Sequence, residues 1–134
     1  IKGLIVPEMH LIKVRDLEGN FMKYPFVLKP NKKGSSVGVY IVRNDKDKKS
    51  AVKNIKKEYF PNEEFLTQEA ILDSIEVSCG CLEDNREKFL DIPPIEIIPQ
   101  LDTFFDYNSK YTKGGSVEVT PPVLISKDIS ERIT

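Results

Sequence analysis

Lys29 ends the apolar run Tyr24-Pro25-Phe26-Val27-Leu28 and is followed by Pro30. A lysine in that setting packs its stem and aims its ammonium at one place, which suits a point charge held against a phosphate. The bland alternative is a lysine snorkelling at a sheet edge. Just downstream, Gly34-Ser35-Ser36-Val37-Gly38 offers glycines for a tight backbone that points successive N–H groups at an anion, and two hydroxyls as further donors. It lacks the Gly-Lys-Ser/Thr ending of a Walker loop and lies between two strand-like runs, where a Gly/Ser stretch is most often a mere turn. Glu69 and Glu76 flank a turn and offer carboxylates to ribose hydroxyls or an exocyclic amine. On their own they are ordinary surface charges.

The elements that must position these groups follow from periodicity. Tyr24–Lys29 reads as a buried strand and Val39-Tyr40-Ile41-Val42 as its return, so the glycine loop joins a hairpin. From Asp45 to Phe60, Val52, Ile55 and Tyr59 recur at helical spacing among lysines, and Pro61 stops the helix. Phe65–Ala70, Val77–Cys81 and Ile92–Pro99 read as strands, whereas 103–121 combines aromatics with Gly114-Gly115 and reads as a long lid-like loop. The fold class expected is α+β: antiparallel strands, one amphipathic helix and a lid.

Composition sets the limits. The 134 residues carry 20 Lys+Arg against 21 Asp+Glu, with 40% hydrophobic residues, as in a globular domain. A net charge of −1 argues against a whole-surface grip on nucleic acid, and no apolar run approaches the length of a membrane span. The balance is uneven: Arg43–Glu58 holds seven basic and three acidic residues, which read as the solvated face of a helix or, less simply, as a docking surface. Cys79 and Cys81, on one face of a strand, are expected to be reduced and half-buried; with His10 the only histidine, they complete no zinc site. The chain starts at Ile1 and ends where Ile129 and Ile133 begin a helix, with Ser126 or Asp128 as N-cap, so a fragment of a longer protein is expected.

Taken in order, Lys29-Pro30, Gly34 to Gly38, Glu69, Glu76, Phe105-Asp106-Tyr107-Asn108-Ser109-Lys110-Tyr111 and Glu118-Val119-Thr120-Pro121 resemble the D-alanine–D-alanine ligases of the ATP-grasp superfamily, from about Gly3 to the end. The resemblance implies two domains, a small ATP-grasp subdomain at 1–68 and the start of the large one at 69–134. It implies that Lys29 contacts ATP phosphates and that Gly34, Ser35, Ser36, Val37 and Gly38 fold over them. It implies that Glu69 accepts from the adenine amino group, that the backbone of Ala70, Ile71 and Leu72 meets the adenine edge, and that Glu76 holds the ribose. Ser35, Lys110 and Tyr111 become the catalytic set, with Lys110 toward the γ-phosphate and Tyr111 latching the lid to Ser35.

The implied reaction is phosphorylation of one D-alanine carboxylate by ATP, then attack by the amine of a second, in the cytoplasm, for peptidoglycan precursors. Implied partners are ATP, D-alanine and a second copy in a homodimeric parent, with neither nucleic acid nor membrane. Magnesium would bridge the phosphates through ligands beyond Thr134, with no metal ligand inside the chain. Asn108-Ser109 replaces the usual Glu-Ala, the turn before Glu76 lacks its Gly, and Pro122 follows Pro121 where a small residue is usual. These departures leave D-lactate or D-serine open as acceptor. Another ATP-grasp carboxylate–amine ligase and a non-catalytic nucleotide-binding module are the competing readings.

Overall fold

The computed structural model describes residues 5–85, 89, 90, 92–100 and 111–133. The chain forms two compact units, Ile1–Leu72 and Asp73–Thr134. Residues 69–72 fall in the first unit rather than the second, because the strand that carries Glu69 is paired there opposite Phe26.

In the first unit, β1 (Met9–Lys13), β2 (Phe26–Pro30), β3 (Tyr40–Val42) and β4 (Glu64–Glu69) make one antiparallel sheet in the order β1-β4-β2-β3. Strand alternation sends Phe26, Leu28 and Pro30 of β2 and Phe65 and Thr67 of β4 to one buried face. Helix α1 (Asp45–Glu58) buries Ala51, Val52 and Ile55, and with Val14, Leu17 and Val42 these residues form the core. Asn44 caps the helix, its side chain accepting from Asp47 N–H at 3.0 Å, while Asp47 returns the favour to Arg43 N–H at 3.0 Å. Acidic residues fill its first turn and Lys56 and Lys57 its last, both favourable to the helix dipole. The helix stops two residues before Phe60: Tyr59 is already extended, as expected close to Pro61.

In the second unit, β5 (Glu76–Ser78), β6 (Ile95–Pro99) and β7 (Ser116–Val119) form an antiparallel sheet in that order, and α2 (Lys127–Ile133) follows. Ser126 caps α2, its Oγ accepting from Ile129 N–H at 3.3 Å. The architecture is α+β, with two antiparallel sheets and two helices among the described residues.

Four expectations need correcting here. The strand expected through Cys81 ends at Ser78, because Ser78 opposes Ile95 and the next partners in register would be Pro94 and Pro93, which have no N–H for a ladder. Cys79 and Cys81 therefore lie past the strand and are exposed rather than half-buried. For the same reason the strand expected from Ile92 begins only at Ile95. The lid-like stretch 103–121 contains a strand, β7, paired with β6 from Glu96↔Val119 to Pro99↔Ser116; residues 103–110 of it lie outside the described residues.

Glu96, on β6, is fully buried. Its Oε2 accepts from the backbone N–H of Val123 at 2.7 Å and of Leu124 at 2.9 Å, fastening the segment after β7 to the middle strand. Its Oε1 is buried without a hydrogen-bond partner. Replacing Glu96 with Ala strips two N–H groups of their acceptor and opens a cavity, so the urea midpoint of the chain should drop by the equivalent of about 2–4 kcal/mol. Gln, which keeps a carbonyl oxygen in place, should cost less; equal losses for both would show that the acceptor is not what matters.

Candidate functional site

Lys29 lies on β2, which runs between β4 and β3, although β3 pairs with it only as far as Leu28. It leaves the face opposite to Phe26 and Leu28 and is half-buried. Across the strand pair Lys29 stands opposite Leu66, and Val27 opposite Gln68, so all four share that open face. The Lys29 ammonium donates to Gln68 Oε1 at 2.5 Å. An amide oxygen orients the ammonium but does not neutralise it, and among the described residues Lys29 has no ion-pair partner. Gln68 was not legible as a site residue, since it is distant in sequence from Lys29 and only the register joins them.

The loop from Asn31 to Val39 is built differently from the sequence expectation. Ser35 and Ser36 take positive φ values of 53° and 59°, and Val37 N–H closes the turn on Gly34 O at 3.1 Å. These are the φ signs of a type I′ turn. Gly34 itself has no positive φ, and a Cβ there would meet nothing within 4 Å. The left-handed backbone therefore falls on the two serines and on Gly38, at φ 73°.

Gly38 is also the tightest point of the loop: a Cβ would lie 2.5 Å from Tyr59 Oη and 3.0 Å from Pro30 Cγ. Tyr59 is buried and packs edge-on against Phe65 with ring centroids 4.9 Å apart. Lys33 reaches back to it, with Nζ 3.3 Å from the hydroxyl and 4.5 Å from the ring centroid. Tyr59 thus ties the end of α1, the sheet and the root of the loop together. Its helical spacing made it readable as a core residue, but not as the post that carries the loop.

Glu69 does not share the face of Lys29. It stands opposite Phe26, so its carboxylate leaves on the other side of the sheet and lines a groove of about 590 Å³ with Glu8, Phe21, Tyr24, Pro25 and Ala70. The N–H of Ala70 is already given to Pro25 O at 3.2 Å, and that of Glu69 to Glu8 O at 2.9 Å. What this edge can offer a planar base is therefore the Glu69 carboxylate, on its own side, and the backbone past Ala70 at the exposed Ile71 and Leu72.

Glu76 and Tyr111 belong to the second unit, Glu76 opening β5 opposite Ile97 and exposed. Tyr111 is exposed just before a turn in which Gly115 N–H returns to Thr112 O at 2.8 Å, with Gly114 at φ 78°. Lys110 lies outside the described residues. Among the described residues no group of three or more His, Cys, Asp or Glu could hold a metal ion. None of the described helices is long and apolar enough to cross a membrane.

The family described as "D-ala D-ala ligase C-terminus" matches residues 7–134. The chain belongs to this family. Its similarity to D-alanine–D-alanine ligases is 36% identity over 116 residues for that of Xanthobacter autotrophicus, covering 87% of this chain and 35% of the relative. For the ligase of Leptospira interrogans it is 41% over 101 residues, covering 73% and 27%. Among solved structures, the VanG D-Ala:D-Ser ligase from Enterococcus faecalis superposes with a TM-score of 0.67 at 26% identity, over 98% of this chain and 38% of that one. The chain thus spans about a third of the length of the ligases it matches.

Proposed function

We propose that this chain is the nucleotide-gripping part of a cytoplasmic ATP-dependent ligase that joins two D-alanines through a D-alanyl phosphate, supplying the dipeptide of a peptidoglycan precursor. The observation that carries the reading is the ammonium of Lys29, held by the Gln68 amide on the sheet face turned away from the core, six residues before the turn at Ser35 and Ser36. Units 1–72 and 73–134 would be the small ATP-grasp subdomain and the start of the large one.

In this reading Lys29 draws the phosphates of ATP onto the open face, and the backbone N–H groups from Gly34 to Gly38 close over them. Glu69, the backbone of Ala70 to Leu72, and Glu76 take the adenine and ribose. With Lys29 and its anchor Gln68 on one side of the sheet and the Glu69 carboxylate on the other, the base is held on the Lys29 side by backbone at 70–72 and reached by Glu69 only around the strand end. Lys110 and Tyr111 act from the lid, Tyr111 with Ser35, to keep water from the acyl phosphate, whose hydrolysis would waste the activated carboxylate. ATP-grasp chemistry also calls for magnesium. Among the described residues no cluster of three or more His, Cys, Asp or Glu would hold it.

The test is an assay of the full-length parent for ADP formation that depends on D-alanine. A binding-only module would take up ATP and show none, which would overturn the reading. The 134 residues alone should release no phosphate in response to D-alanine. A second reading, D-serine as acceptor, is supported by the likeness to a D-Ala:D-Ser ligase at 26% identity. Rates with D-alanine, D-serine and D-lactate as second substrate decide between them.

A further inference from the structure

The basic run in α1 is more than a solvated face. Lys48 sits on the buried stripe, four residues before Val52 and seven before Ile55, and is only 9% exposed. Its ammonium is held over the Phe21 ring, 4.9 Å from the centroid, and donates to the backbone oxygens of Gly19 at 2.6 Å and Glu18 at 3.3 Å. Among the described residues no carboxylate forms an ion pair with it. Beside it, helical spacing places Lys49, Lys53 and Lys57 in a row, and none of them has an ion-pair partner among the described residues. Lys56 alone is paired, 2.5 Å from Glu18, and its ammonium holds the Glu18 carboxyl below the usual carboxylate range.

These five lysines line one groove of about 650 Å³ between α1 and the turn at 18–20, against two carboxylates, Glu18 and Asp45. Asp45 is itself occupied by the Tyr24 hydroxyl at 2.6 Å. Like charges crowded in this way repel, and nothing in the core requires Lys49, Lys53 or Lys57 to be basic. The concavity has the volume of a small-molecule site rather than the flat extent of a nucleic-acid track.

We propose that the groove between α1 and the 18–20 turn binds a small soluble oligophosphate, three or more linked phosphates, independently of the phosphates gripped by Lys29. Lys48 supplies a fixed charge at the floor, and Lys49, Lys53 and Lys57 close on the anion from the rim. Glu18 competes with the ligand for Lys56.

Inorganic tripolyphosphate titrated calorimetrically into the 134-residue chain tests this, with every variant made in a Lys29→Ala background so that the other phosphate site does not contribute. Lys49→Gln with Lys53→Gln should weaken binding about tenfold with an unchanged urea midpoint, since both side chains are exposed. Glu18→Gln should tighten it. The proposal is overturned if the double variant binds like its parent, or if Lys13→Gln with Lys46→Gln, equal in charge but outside the groove, weakens binding as much. It is equally overturned if Lys29→Ala alone abolishes binding, or if a single-stranded RNA oligomer binds the groove more tightly than tripolyphosphate.

Discussion

Lys29→Ala in the full-length enzyme should lower kcat/KM for ATP by a factor of roughly 100 to 1000, the loss of about 2.7–4 kcal/mol expected when one preorganised donor to developing charge is removed. The size follows from how the ammonium is held. It sits half-buried on the open face of a sheet, oriented by the Gln68 amide and not neutralised by it, so no rearrangement is needed to meet an anion. Lys29→Met separates charge from packing, because it keeps most of the stem. It should be as damaging as Ala to turnover while leaving the urea midpoint where it was. Gln68→Ala, which frees the ammonium to wander, should cost about tenfold. A Lys29→Ala enzyme with unchanged kcat/KM would remove the phosphate assignment and with it the observation on which the functional reading rests.

Gly38→Ala should destabilise the chain by about 2–4 kcal/mol in urea unfolding. A left-handed φ costs an alanine about 1 kcal/mol, and a new methyl forced against packed atoms adds about 1–3 kcal/mol. The methyl has nowhere to go: it would fall on the hydroxyl of a tyrosine already wedged against Phe65, and on the Pro30 ring. Tyr59→Phe removes the nearest atom, so the double variant Gly38→Ala/Tyr59→Phe should recover part of the loss and leave the share due to φ. Strict additivity of the two single changes would show that the hydroxyl and the loop are not in contact. Gly34→Ala is the matched control; with no positive φ and open space around it, it should change stability by no more than a few tenths of a kcal/mol.

What could be read from the residues beforehand depended on how far each signal reaches along the chain. Helix α1 announced itself through local spacing, and Lys29 through its place at the end of an apolar run; neither needs a distant partner. Most of what stayed illegible is a matter of register. Whether Glu69 shares a face with Lys29 turns on a pairing between β2 and β4, and a slip of one residue would reverse the answer. Cys79 and Cys81 looked like strand residues because the prolines that end the ladder, Pro93 and Pro94, lie just before β6, more than ten residues away. β7 was hidden inside a loop-like stretch for the same reason, its partner being β6. Lys48 was a local miss: its spacing to Val52 and Ile55 placed it on the apolar stripe, and its charge concealed that.

The sheet of the first unit separates two kinds of change. Its buried face, with Phe26, Leu28, Phe65 and Val42, answers to volume, while Lys29, Gln68, Val27 and Leu66 on the other face answer to what lies against them. Because every second residue of the same two strands belongs to one face or the other, a lineage can rewrite ligand chemistry at odd steps without repacking at even ones. Residues on the face away from the core can therefore diverge while the scaffold that carries them drifts on its own schedule.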